Sequence, residues 1–169
     1  MIGLLNAYHF ERDAESYQLD YGPMFLDFLA ANLPGQIIKS YDVALGELPQ
    51  SVYECDGWII TGSPKSAYDQ DPWIKALGGF VQRINKEKIK LVGVCFGHQL
   101  VAHYLGGRTE KSENGWGVGI SEFDIVSTKK WMKPPLKECA LIFSHQDQVL
   151  TLPKDAELLG TNDFCPNQM

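Results

Sequence analysis

Between residues 2 and 104, apolar runs of strand length alternate with longer segments of helical spacing, and this order leaves few folds open. Ile2–Leu5 reads as a first strand. Residues 21–33 carry Met24, Phe25, Phe28, Leu29 and Leu33 at helical spacing, and Pro34-Gly35 ends the helix. Residues 36–41 form a second short strand and residues 56–61 a third, which runs into Gly62-Ser63-Pro64. Asp71-Pro72 resembles an N-cap followed by proline at the first helical position, with Trp73, Ile74, Leu77, Phe80, Val81 and Ile84 continuing the apolar face. Residues 90–94 make a continuous apolar strand, and residues 97–104 a further helix stopped by Gly106-Gly107.

The strands are apolar throughout rather than alternating, which predicts a parallel sheet covered on both faces. The last third differs. Residues 115–126 alternate like an antiparallel strand, and residues 140–144 and 157–161 are short strands between Pro- and Lys-containing loops. The expectation is an α/β fold of three layers, a mostly parallel sheet with a small antiparallel C-terminal portion. No linker interrupts the chain, so residues 1–169 are expected to form a single domain. In such sheets ligands bind beyond the carboxyl ends of the strands, where residues 62–65 and 95–99 lie.

Composition narrows the partners. The net charge is −6 and no basic run is interleaved with aromatics, which argues against nucleic acid. No apolar stretch approaches the roughly 18 residues of a membrane span, and the first residues lack signal-peptide features, so the cytoplasm is the expected compartment. Cys55, Cys95, Cys139 and Cys165 lie far apart without a Cys-x-x-Cys pair and are expected to be reduced thiols. His98 and His103 fall about 140° apart on a helix, which gives no zinc site. No metal and no cofactor are expected.

The stretch Leu91-Val92-Gly93-Val94-Cys95-Phe96-Gly97-His98-Gln99 carries the most chemistry. Cys95 stands at a strand-to-helix junction with glycine two residues away on either side. Small flanking residues permit a sharp turn that projects one side chain above the sheet, as in a nucleophile elbow. Helix N-terminal amides favour the thiolate there, and the Phe96 amide could face an oxyanion. The pattern also suits a buried structural cysteine whose neighbouring glycines pack helix on sheet. Locally, both readings stay open.

The segment 93–99 resembles the nucleophile motif of class I (triad) glutamine amidotransferases. Two further segments agree in order. Ile60-Thr61-Gly62-Ser63-Pro64-Lys65-Ser66 resembles the family's oxyanion strand, and Ser144-His145-Gln146-Asp147-Gln148-Val149 its Ser-His-Gly-Asp-x-Val substrate loop. The likeness covers essentially the whole chain and is nearest to the stand-alone, GMP-synthase-like branch, which includes γ-glutamyl peptidases. It implies a flavodoxin-like fold and a cysteine-nucleophile hydrolase of small-molecule γ-glutamyl compounds. Cys95 would attack the glutamine side-chain amide, form a γ-glutamyl thioester and release ammonia. Backbone amides of Ser63 and Phe96 would hold the oxyanion, while Gly62, Gln99, Ser144, His145, Gln146 and Asp147 would line or hold the substrate. A separate ammonia-accepting enzyme is a possible partner. Serine replaces the usual glycine at 63 and glutamine the usual glycine at 146, which leaves substrate specificity open.

The family's His-Pro-Glu, which completes the triad, does not occur in these 169 residues. The resemblance therefore implies a member lacking its C-terminal end, which turns over glutamine slowly or not at all. His145 in the family positions its loop and is not the base. The alternatives are a γ-glutamyl peptidase and a catalytically silent module that binds a metabolite or protein. His9 and the acidic residues Glu11, Asp13 and Glu15 read as a solvated first loop, with a lid as the functional alternative. His98 and His103 read as helix-packing residues, Asp69 and Asp71 as loop and cap residues, and Trp116 and Trp131 as packing for the C-terminal sheet.

Overall fold

Four strands, β1 (Ile2–Leu5), β2 (Ile38–Tyr41), β3 (Gly57–Ile60) and β4 (Lys90–Gly93), pair in parallel in the order β2-β1-β3-β4. A computed structural model describes residues 1–8 and 20–169, and its contacts divide the chain into two units, Met1–Tyr104 and Leu105–Met169. The first-loop residues His9, Glu11, Asp13 and Glu15 lie outside the described residues.

In the first unit the path steps from β1 to β2 on one side and from β3 to β4 on the other. Right-handed crossovers then put α1 (Tyr21–Asn32) and α2 (Pro72–Lys86) on opposite faces of the sheet. The apolar stripe of α2 matches its spacing: Ile74, Leu77, Phe80, Val81 and Ile84 are all buried. Trp58 of β3 stands edge-on to Phe80 with ring centroids 5.0 Å apart. Each such side chain contributes about 1.5–3 kcal/mol by leaving water.

Two expectations need correction, and a third holds in position but not in its hydrogen bond. Of the apolar residues expected to seat α1, Leu29 is buried but Met24 and Phe28 face outward, Phe28 at 62% exposure. Asp71 is the N-cap residue before Pro72, as expected, though its carboxylate pairs with Lys65 Nζ at 3.3 Å rather than with a helix amide. Strand β4 is not buried on both faces, since Val92 is 56% exposed. It is the edge strand of the four, and α3 (Phe96–Tyr104) covers only one side of it.

At the other edge, Glu54 in the turn Val52–Glu54 accepts from Tyr41 Oη at 2.7 Å and Lys39 Nζ at 3.0 Å, and its second oxygen accepts from the Ser51 amide. The Tyr41 hydroxyl, then Lys39 and Ser51, hold this carboxyl down at about 2. A carboxyl depressed in the folded state stabilises above its ordinary value of about 4.3, and that contribution is lost as pH falls toward the folded value. In urea unfolding, the advantage of the parent over Glu54→Gln is expected to shrink as pH drops from 5 to 2. A constant difference would contradict it.

The second unit is antiparallel throughout. β6 (Gly117–Ile125) pairs with β7 (Glu138–His145) and β9 (Gly160–Thr161), and β5 (Arg108–Lys111) pairs with β8 (Asp147–Thr151). Phe123 and Phe143 form its buried ring pair at 6.3 Å. Trp116 and Trp131 do not pack the sheet as expected; they are 64% and 66% exposed. Neither indole lies within β6 or β7, whose buried rings are Phe123 and Phe143.

Candidate active site

Strand β4 stays zipped to its neighbour to the last residue: the Val94 amide donates to the Ile60 carbonyl at 3.0 Å. The chain then turns sharply at Cys95, which has φ of 53°, the left-handed region that ordinary side chains avoid. Helix α3 begins at the next residue, with Gly97 N donating to Val94 O and Gln99 N to Cys95 O, both at 3.0 Å.

The flanking glycines make this turn possible. A Cβ on Gly93 would lie 2.4 Å from the Gly97 carbonyl carbon and 2.6 Å from His98 N. One on Gly97 would lie 2.6 Å from the Ile60 carbonyl oxygen. Strand, turn and helix therefore approach closer than any side chain allows. Cys95 itself is exposed, whereas Cys55 and Cys165 are buried and Cys139 is half-buried. Its side chain stands at the positive end of α3, where the first-turn amides lack intrahelical acceptors. Phe96 is fully buried against Trp73, 5.7 Å between rings, which anchors the start of α3. Gln99, one turn on, is buried as well.

The end of β3 lies alongside, since Ile60 pairs with Gly93. Thr61 is fully buried; its Oγ1 accepts from Ala7 N at 2.9 Å and donates to Gly62 O at 3.0 Å. That bond ties the loop after β3 to the end of β1. Ser63 is half-buried and turns its Oγ back to accept from Lys65 N at 3.3 Å, so the side chain is engaged within its own loop. Asp69 does the same for Ser66 N, as a loop residue. Gly62-Ser63 and Cys95-Phe96 are thus brought to the same end of neighbouring strands.

The remaining expected residues belong to the second unit. Ser144 and His145 end β7, Gln146 alone connects, and Asp147 opens β8, so the segment is a tight strand-to-strand corner rather than a loop. The His145 ring lies between Phe143 and Phe164, at 5.4 and 5.9 Å, with Nδ1 3.1 Å from the Asp147 carbonyl oxygen. The Gln146 carbonyl accepts from Ser112 N at 2.9 Å, and Asp147 is buried. His103, at the end of α3, packs edge-on to Tyr104 at 5.4 Å and near Tyr68.

One residue with no motif to mark it also stands at the β3 end: the Tyr21 ring lies against Gly62. Only its place at the start of a helix was readable. Among the described residues no group of three or more His, Cys, Asp or Glu side chains could hold a metal ion, and no helix is long and apolar enough to cross a membrane.

Known proteins resemble this chain. The glutamine amidotransferase class-I family model matches residues 35–168. γ-Glutamyl peptidase 3 of Arabidopsis thaliana is 29% identical over 93% of this chain and 67% of its own length. γ-Glutamyl peptidase 5 of the same plant is 32% identical over 85% of this chain and 60% of its own length. The glutamine-hydrolysing GMP synthase of Campylobacter lari is 28% identical over 92% of this chain and 30% of its own. The chain thus spans about two thirds or less of each relative. The crystal structure of a glutamine amidotransferase from Thermotoga maritima has the same fold, with a TM-score of 0.82 at 24% identity over 99% of this chain and 69% of that one.

Proposed function

Because the chain belongs to the glutamine amidotransferase class-I family, we propose that Cys95 is the nucleophile of a γ-glutamyl amide hydrolase. The observation that carries the reading is an exposed cysteine at φ 53° on the N-terminus of α3, beside the Gly62-Ser63 loop. The thiolate attacks the γ-carbonyl carbon, and the Ser63 and Phe96 amides stabilise the resulting oxyanion. The C–N bond then breaks, nitrogen leaves with a proton as ammonia or an amine, and water hydrolyses the thioester to glutamate. The roles of Gln99, Ser144, His145, Gln146 and Asp147 in holding the substrate's α-amino and α-carboxylate groups rest on the motif resemblance.

Glutamine is the leading substrate. A γ-glutamyl peptide is the second reading, supported by the two peptidases among the relatives. The family's His-Pro-Glu, whose histidine moves the proton to the leaving nitrogen, is not among these 169 residues. Loss of a triad member costs several orders of magnitude, with the oxyanion hole and binding leaving a residue of rate.

Binding is therefore the sharper test. Glutamine or a γ-glutamyl dipeptide, at concentrations on the order of 1 mM, is expected to slow alkylation of Cys95 by iodoacetamide while ammonia release stays near background. No protection by any γ-glutamyl compound would sink the reading. Ligand-induced thermal stabilisation that survives Cys95→Ala, without thioester formation, would instead favour the silent binding module.

A further inference from the structure

Strand β7 has one edge without a strand partner among the described residues, since its sheet runs in the order β7-β6-β9. Its register with β6 is unbroken from His145 opposite Gly117 to Glu138 opposite Asp124. Just before β7, the Lys137 carbonyl accepts from Ile125 N at 2.8 Å. The odd-numbered residues of β7 therefore turn their peptide groups toward β6. The amides and carbonyls of Glu138, Ala140, Ile142 and Ser144 face outward along the free edge. All four residues are exposed, Ile142 at 84%.

Edge strands are commonly guarded against pairing by an internal charge, a proline, a bulge or a very short run. β7 has none of these guards. It is eight residues long, and Cys139-Ala140-Leu141-Ile142-Phe143-Ser144 holds no charge, proline or glycine. The opposite edge of the same sheet, β9, is only two residues long.

The edge is also complementary to itself. Antiparallel pairing about a two-fold axis through Leu141 sets Ala140 opposite Ile142 of the second copy, and Glu138 opposite its Ser144. Every outward amide and carbonyl then meets a mate in an identical strand. Moving the axis to Ile142 would oppose Glu138 to Gln146, whose carbonyl already accepts from Ser112 N. Charge favours the same arrangement. Parallel pairing would set Glu138 beside its own copy, whereas antiparallel pairing holds the two carboxylates at opposite ends, each near the His145 end of the other strand.

We propose that β7 is a self-association edge: two copies join β7 to β7 in antiparallel register, with Leu141 on the two-fold axis, and merge two three-stranded sheets into one. Leu141, 50% exposed in the single chain, then meets its own copy beside the buried Phe143. This pairing is independent of the Cys95 reading.

The test is sedimentation of the whole chain over about 1–100 µM. One strand pair makes an interface at the small end of specific ones, so the parent is expected to pass from monomer to dimer within that range. Ile142→Pro removes an outward amide that β6 does not use, and it is expected to stay monomeric throughout. A cross-link decides the matter even where proline lowers the thermal midpoint. Leu141→Cys places two thiols in a non-hydrogen-bonded pair with Cα atoms about 4.5 Å apart, within disulfide reach. Ile142→Cys places them diagonally, beyond that reach. Under mild oxidation the cross-link between the two copies of position 141, mapped by mass spectrometry, is expected to form about tenfold faster or more than that at 142. Equal cross-linking at the two positions, or an Ile142→Pro chain as dimeric as the parent, overturns the proposal. So does a parent that stays monomeric at the highest concentration, including one that instead binds phosphatidylcholine vesicles through this apolar strand.

Discussion

Incubation with 6-diazo-5-oxo-norleucine is expected to label Cys95 alone, and Cys95→Ala is expected to reduce labelling to background. The selectivity follows from four different surroundings. Burial pushes the Cys165 thiol up to about 11, so at pH 7 roughly one molecule in ten thousand carries the thiolate. Cys55 is buried as well, with its thiol pushed up by the same cause. Cys139 is half-buried near the start of β7, opposite Phe123, with no helix terminus beside it. Cys95 alone is exposed, and it stands where first-turn amides favour negative charge. The reagent mimics glutamine and alkylates after binding, so selective labelling reports the γ-glutamyl pocket as well as the thiol. Peptide mapping of the intact and Cys95→Ala proteins decides the matter. Equal labelling of all four cysteines, or undiminished labelling of Cys95→Ala, would exclude a γ-glutamyl site at the elbow.

The second large effect is on folding. Gly93→Ala places a Cβ 2.4–2.6 Å from the carbonyl carbon and oxygen of Gly97 and from His98 N, all backbone atoms of the first turn of α3. No rotamer change relieves a clash with backbone, so the helix must move off the strand. The expected cost is roughly 4 kcal/mol or more, at the top of the range for single substitutions. For a chain of this size it lowers the thermal midpoint by roughly 10 °C. Gly79→Ala is the control. Gly79 lies inside α2 and its Cβ would meet only Arg83 Nη1 at 3.8 Å, so it is expected to stabilise by about 0.5–1 kcal/mol. Denaturation of the two variants that gave equal midpoints would mean the elbow is looser than its geometry.

Much of the first unit was legible because its signals are local. An apolar stripe at 3.6 spacing can bury itself only as a helix, and α2 keeps Ile74, Leu77, Phe80, Val81 and Ile84 inside as read. The alternation over β6 likewise announced an antiparallel strand. Strands β5 and β8 were not legible. Arg108–Lys111 is a polar run whose buried member is Thr109, and Thr109 finds its place only opposite Val149 of a distant strand. Nothing in such a run distinguishes a strand from a loop before its partner is known. The indoles of Trp116 and Trp131 misled for a related reason. Size and hydrophobicity suggest burial, but both indoles lie outside the strands of this sheet, whose buried rings are Phe123 and Phe143.

At the site the same division holds. The order of residues alone determined the α/β class, the position of Cys95 between two glycines, and the three motifs that mark the family. Spacing and composition encode these directly, because they depend on chain-local sterics and period. The tertiary structure decided the rest. It set Cys95 in the left-handed region and exposed it, turned the Ser63 hydroxyl back into its loop, and made the Ser144–Asp147 motif a strand corner. It also laid the Tyr21 ring on Gly62, 41 positions away in the chain. Contacts at that separation arise from sheet order and helix seating. A sequence pattern records which residues can turn or bury, while packing alone records which of them meet.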